Sequence, residues 1–147
     1  MDEHDTRVRN TTYRLFAELG RAPEPEEVAR ALGRTREEVL DRWRRLDAAH
    51  ALSLDGHAER IRMANPFSAL PTQHRVLAAG KVWFANCAWD AFGICAALQS
   101  DGEIHTTCPD CGDAIEVAVR NGEPDDETLL FHCLVPAARW WDDIGFA

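Results

Sequence analysis

Apolar positions in the first fifty residues recur at the three- and four-residue spacing of amphipathic helices. Tyr13, Phe16 and Leu19 share one face, and Gly20 supplies a stop. A second stretch opens at Pro23-Glu24-Pro25, puts acids in its first turn, presents Val28, Ala31 and Leu32, and ends at Gly33. A third starts with Thr35 and Glu38 at capping-box spacing and carries Val39, Leu40, Trp43 and Leu46. The period then drops to two in segments 51–54 and 60–63, which flank Asp55-Gly56 and predict a hairpin. Three short helices and a hairpin predict a helix-turn-helix unit with a wing.

Asn65-Pro66-Phe67-Ser68 and Pro71-Thr72 punctuate the pattern as a linker, which predicts a unit over 1–64 and a second over 65–147. In the second, segments 75–78 and 81–84 flank Gly80 and read as paired strands, and a mostly apolar helix runs from Asn86 or Cys87 to about Leu98. Segments 103–107, 114–120 and 128–135 predict strands, joined by Cys108-Pro109-Asp110-Cys111-Gly112 and by Asn121-Gly122. A short helix near 136–141 and an extended piece at 144–147 close the sequence. The expected fold class is α+β: a three-helix winged-helix-like module, then a small mixed or antiparallel sheet with a central helix.

With 147 residues and 46% hydrophobic positions, the chain can bury one real core, shared by at most two small modules. The net charge of −9 argues against broad phosphate-backbone binding, which draws its affinity from many Lys and Arg contacts. Arginines cluster before residue 50, and Arg42, Arg44 and Arg45 fall on the third helix, where a DNA reader would want them. The favoured reading is a solvated helix face paired with Glu37, Glu38 and Asp41, with no nucleic-acid partner. The start of the sequence lacks the apolar run of a signal peptide, and no stretch approaches the roughly 18 residues that span a bilayer. Five cysteines, an odd number, argue for reduced thiols and a cytoplasmic protein.

The segment Asn86-Cys87-Ala88-Trp89-Asp90 carries the most chemistry. A cysteine in the first turn of a helix meets unpaired backbone N–H groups and the positive end of the helix dipole, both of which favour thiolate. Cys87 is thus a candidate nucleophile or soft-metal ligand. Asp90, three residues on, projects from the same side, and a carboxyl beside a thiol raises the proton affinity of the pair. The residues alone equally allow a small buried cysteine and an aspartate that merely complements the dipole.

Four runs in this order carry a resemblance: Asn65-Pro66-Phe67-Ser68, Trp83-Phe84-Ala85-Asn86-Cys87-Ala88-Trp89-Asp90, Cys108-Pro109-Asp110-Cys111-Gly112, and Val135-Pro136-Ala137-Ala138-Arg139-Trp140-Trp141-Asp142-Asp143. Together they resemble the alkylmercury lyase family and its shorter bacterial relatives. The resemblance implies protonolysis of a carbon–mercury bond by two cysteines and an aspartate, with Cys87 as the first cysteine and Asp90 as the proton carrier. It implies no redox cofactor, and an organometal or other thiol-reactive small molecule as partner. The second family cysteine is expected at or just after Ala147, the last residue, so a non-catalytic metal-binding or sensing protein is the alternative.

Cys108 and Cys111 form half of a zinc-knuckle pattern, with Hg(II) or Zn(II) as the ions to expect there and at Cys87. His105, His132 and Cys133 are the available completions. A pair of reduced turn thiols is the favoured reading, metal binding the second and a redox pair the third, and Cys95 is expected in the core. Trp83, Trp89, Trp140 and Trp141 are expected to fill the core against the sheet, or in part to line an apolar pocket beside Cys87.

Overall fold

The computed structural model describes residues 1–133 and 135–142. Three helices open it: α1 (Glu3–Leu19), α2 (Pro25–Leu32) and α3 (Arg36–Ala48). Each begins where a side chain satisfies the first free amides. Thr35 Oγ1 accepts from the Glu38 amide at 3.2 Å while Glu38 accepts from the Thr35 amide at 2.8 Å, the reciprocal pair expected from the sequence. α1 ends at Gly20 in the left-handed region, φ 74°, where a side chain would be strained.

Phe16, Val28, Val39, Leu40, Trp43 and Leu46 form the buried seam between the helices. On α2 the buried face is Pro25, Val28 and Ala29; Ala31, expected inside, is exposed. An eight-residue helix buries one i, i+3, i+4 set, and Ala31 lies outside it. Trp43 is fully buried, and its indole N–H donates to Thr12 Oγ1 at 2.9 Å, so the core holds no orphaned donor there.

The arginines of α3 pair differently from the sequence expectation. Arg44 does reach Asp41, at 3.0 Å, but Arg42 and Arg45 cross to α1 and hold the two oxygens of Asp5 at 2.9 and 3.0 Å, with Asp2 also in reach of both. Burial pushes the Asp5 carboxyl up, yet the Asp2 amide, Arg42 and Arg45 outweigh it and hold the acid well below its usual range. A lowered native value contributes stability above the unfolded value of 3.8 that is lost as pH falls through the native one. Asp5→Asn is therefore expected to cost about 1–3 kcal/mol at pH 7. The gap to the parent should narrow below about pH 4, as urea unfolding across that range would show.

The strands are β1 (Ser53–Leu54), β2 (Ile61–Ala64), β3 (Phe67–Ser68), β4 (Arg75–Ala78), β5 (Lys81–Ala85), β6 (Gly102–Thr107), β7 (Ala114–Arg120) and β8 (Glu123–Pro124). They form one antiparallel sheet in the order β1-β2-β3-β5-β4-β6-β7-β8. The expected wing is β1 and β2, closed by Asp55, whose Oδ1 accepts from the amides of His57, Glu59 and Arg60. Asn65-Pro66, read as part of a linker, is instead a two-residue turn with a cis peptide bond that pairs Ala64 with Phe67. The sheet thus runs through the position expected to separate two units. Ala79 and Gly80, with φ of 50° and 72°, make the β4–β5 turn in the conformation that matches strand twist, and Asn121-Gly122 does the same after β7.

Residues 128–133, expected in a strand, carry none. Pro124 has no N–H to donate, so the last strand ends after two residues. A 3-10 helix, Ala137–Asp142, follows, and the extended piece expected at 144–147 lies outside the described residues.

The remaining helix, α4 (Ala88–Leu98), lies on the sheet and buries Ala91, Ile94 and Cys95 with Val76, Trp83 and Ile104. Phe67 stacks on Phe16 and tilts against Trp83, each at 5.1 Å, so α1 and the sheet share one core. Of the four tryptophans expected in the second unit's core only Trp83 is fully buried, its N–H donating to the Ala78 carbonyl; Trp89 is 63% exposed. Trp89 occupies the outer side of the first helical turn, opposite the residues that face the sheet. Among the described residues no helix is long and apolar enough to cross a membrane.

Candidate functional site

β5 leads directly into α4, and the turn between them presents Cys87. Ala85 is tied down first: its amide donates to the His74 carbonyl at 2.9 Å and its carbonyl accepts from Thr72 Oγ1 at 2.6 Å. Cys87 then takes the N-cap position in extended conformation, φ −145° and ψ 177°. Asp90 follows in the first turn, and its carboxyl lies against the Cys87 thiol. Asn86 Nδ2 donates to Asp90 Oδ2 at 3.1 Å and approaches the Pro66 carbonyl at 3.5 Å, which fixes the carboxyl between the turn and the β2–β3 connection.

Both groups are partly buried, and burial dominates their protonation. It pushes the Cys87 thiol up; the amides of Asp90 and Trp89 oppose this, but the Asp90 charge adds to it. It also raises the Asp90 carboxyl, with the hydrogen bonds from Asn86 and Cys87 offsetting part of the shift. The thiolate expected from the helix terminus is therefore not the resting form: desolvation and a neighbouring anion outweigh the dipole. What the pair holds is a thiol proton next to a carboxyl of raised proton affinity. That arrangement can release a proton from sulfur to oxygen when a soft cation takes the sulfur, and return it elsewhere.

α1 brings one further side chain, Tyr13, into the electrostatic range of the pair. Tyr13 is largely buried, its hydroxyl donates to the Ala51 carbonyl at 3.1 Å, and Arg9 lies over its ring at 4.7 Å from the centroid. Burial raises the Tyr13 hydroxyl, Arg9 opposes, and the charge of Asp90 adds to the rise, which places the phenol within electrostatic reach of the site. Sequence reasoning missed both Asn86 and Tyr13. The i, i+4 spacing of Asn86 and Asp90 was a usable signal; nothing in the chain pattern connects Tyr13 to Asp90.

Cys108 and Cys111 sit on the β6–β7 turn, closed by the Cys108 amide donating to Asp113 and the Gly112 amide donating to the Cys108 carbonyl, at 2.8 and 2.9 Å. The two thiols are in contact. The amides of Cys111 and Asp110 and the Cys111 thiol hold the Cys108 thiol below its ordinary value. The Asp113 amide favours the Cys111 thiolate, but the Cys108 and Asp113 side chains outweigh it and raise that thiol. The completions considered from the sequence do not converge: among the described residues no three His, Cys, Asp or Glu side chains form a metal cage. Cys95 is buried in α4 as expected, and Cys133 is exposed. The position expected for a second family cysteine, at or after Ala147, lies outside the described residues.

Cavities of about 420 and 430 Å³ lie, respectively, between α1 and α3 beside Arg7 and Arg42, and beside the β4–β5 turn; Cys87 lines neither.

Three comparisons bear on this geometry. The alkylmercury lyase family profile matches residues 67–146. The profile of sigma-70 region 3 matches residues 3–59, the helices and the turn of the wing. Among solved structures the chain is similar to the mercury-bound form of MerB2, with a TM-score of 0.62 and 23% identity over 82% of this chain. The match covers 66% of that protein's chain. No curated protein sequence matches.

Proposed function

The chain belongs to the alkylmercury lyase family, and on that premise we propose that it cleaves a carbon–mercury bond by protonolysis, with Cys87 binding mercury and Asp90 carrying the proton. The observation that supports this reading is the contact between the half-buried Cys87 thiol and the Asp90 carboxyl at one helix terminus.

The chemistry balances on these two groups. An alkyl- or arylmercury cation takes the sulfur of Cys87, and the thiol proton passes to the Asp90 carboxylate. The sulfur–mercury bond weakens the mercury–carbon bond, because a soft thiolate donates strongly to a soft metal. Asp90 then protonates the carbon, hydrocarbon leaves, and Hg(II) stays on Cys87 with Asp90 again ionised. No electron is transferred, and no redox cofactor enters. Asn86 orients the acid.

All five cysteines follow residue 65, so on this reading segment 65–147 carries the chemistry and segment 1–64 is an accessory module, with no nucleic-acid partner. Free reactive thiols require a reducing compartment, and the cytoplasm is part of the reading.

One observation favours a second reading, a thiol-based mercury binder or sensor without turnover: among the described residues no further thiol or histidine joins Cys87 and Asp90. Reduced protein incubated with excess phenylmercury decides between the two. Benzene formed at about one equivalent per chain, and beyond it once added glutathione draws Hg(II) off Cys87, is the lyase outcome. Stoichiometric mercury uptake without benzene is the binder outcome, and neither benzene nor bound mercury would sink both.

A further inference from the structure

Cys87 and the Cys108–Cys111 turn lie at the same end of the sheet. β5 and β6 both run antiparallel to β4, so both finish beside its first residue: Arg75 pairs with Phe84 on one side and with His105 on the other. The ends of β5 and β6 are two strand spacings, about 10 Å, apart, and Cys87 follows the one and Cys108 the other. The segment before β4 is bonded to both. Thr72 Oγ1 donates to the Ala85 carbonyl, while His74 Nδ1 pairs with Thr106 Oγ1 at 2.7 Å and Thr107 donates to Gln73 at 3.1 Å. The two thiol-bearing turns are thus held in fixed relation by three consecutive residues.

We propose that Cys108 and Cys111 form a second soft-metal site, which takes Hg(II) as a two-coordinate bis-thiolate and receives it from Cys87 after carbon–mercury cleavage. Structural zinc wants four ligands, and although the Asp113 side chain lies beside Cys111, among the described residues no third His, Cys, Asp or Glu joins the pair in a group that could hold a metal ion. Hg(II) is satisfied by two thiolates in line, so an exposed adjacent pair suffices. The turn is also prepared for it: backbone amides of Asp110 and Cys111 face the Cys108 sulfur, and Cys111 is accessible. Transfer is ligand exchange. Each turn thiol loses a proton to solvent as it bonds to mercury, the Cys87–mercury bond breaks, and Cys87 regains a proton; nothing is oxidised or reduced. The transfer step rests on the lyase reading above, whereas the binding step does not.

The test loads the reduced full chain with one equivalent of HgCl2, challenges it with millimolar glutathione, and measures mercury retained after desalting. Parent and Cys87→Ser are expected to retain about one equivalent. Cys108→Ser and Cys111→Ser should each retain at least tenfold less, with near-ultraviolet circular dichroism unchanged. Retention that survives in a Cys108→Ser/Cys111→Ser double variant, or that is lost in Cys87→Ser, overturns the proposal. A second arm uses one equivalent of phenylmercury and locates the mercury by mass spectrometry of the digested chain. Benzene released with mercury on the Cys108–Cys111 peptide supports transfer, and benzene with mercury remaining on Cys87 overturns it. Absence of benzene counts against the lyase reading and against transfer, and leaves the HgCl2 result to judge the site.

Discussion

A Cys87→Ser variant is expected to lose hydrocarbon release from phenylmercury down to the uncatalysed background, while folding at least as well as the parent. The two halves of this expectation have one cause. N-cap positions favour Ser, whose oxygen accepts from the amides two or three residues on. Cys87 occupies that position, and its sulfur, a weak acceptor, faces the amides of Trp89 and Asp90 without making a capping hydrogen bond. The chain therefore forgoes cap energy in order to place a sulfur there. Serine should restore it, raising stability by about 0.5–1 kcal/mol, and its hard, weakly acidic hydroxyl should bind mercury far less well. Gas chromatography of benzene and a urea unfolding midpoint check the two together. Activity retained in Cys87→Ser would sink the assignment of the mercury-binding thiol; an unfolded variant would sink the cap argument. The opposed signs also separate function from packing, since a cysteine kept only for its volume would leave turnover intact when replaced by serine.

Local signals were legible in the chain and long-range ones were not. The capping pair Thr35 and Glu38, the turn at Asn121-Gly122 and the helix starting at Cys87 depend on neighbours in sequence, and each stands in the structure as read. Asn65-Pro66 was misread because proline punctuation looks the same in a linker and in a tight turn; only pairing of β2 with β3 distinguishes them. Arg42 and Arg45 had acids at helical spacing on their own helix, yet the buried Asp5 of α1 took them, because a desolvated carboxylate needs its partners more than exposed ones do. The protonation of Cys87 failed for a related reason. The sequence displays the helix dipole but not the depth of burial, and depth decided the sign.

An Asp90→Asn variant is expected to move two rates at Cys87 in opposite directions. Asp90 raises the Cys87 thiol both through its charge and through its side-chain hydrogen bond. Removing that charge should lower the thiol towards its ordinary value, so a larger fraction is thiolate at pH 8, and alkylation of Cys87 by iodoacetamide should quicken by about two- to tenfold. Capture of mercury should hold or improve for the same reason. Cleavage should fall by about 10²–10⁴-fold, because the amide has no proton of the right acidity to give to carbon. The pH profiles should differ as well. In the parent, the raised carboxyl extends protonation of carbon towards neutral pH, and release falls as pH rises through its value; in Asp90→Asn that descending limb should vanish. Asn86 remains able to hydrogen-bond the substituted side chain, so loss of orientation is a minor part of the effect. Quantifying the alkylated Cys87 peptide and benzene release on the same preparations provides the comparison. Alkylation and cleavage that slow together would show Asp90 to be a support for the fold of the turn, and a variant that alkylates faster but still releases benzene at the parental rate would remove Asp90 from the chemistry.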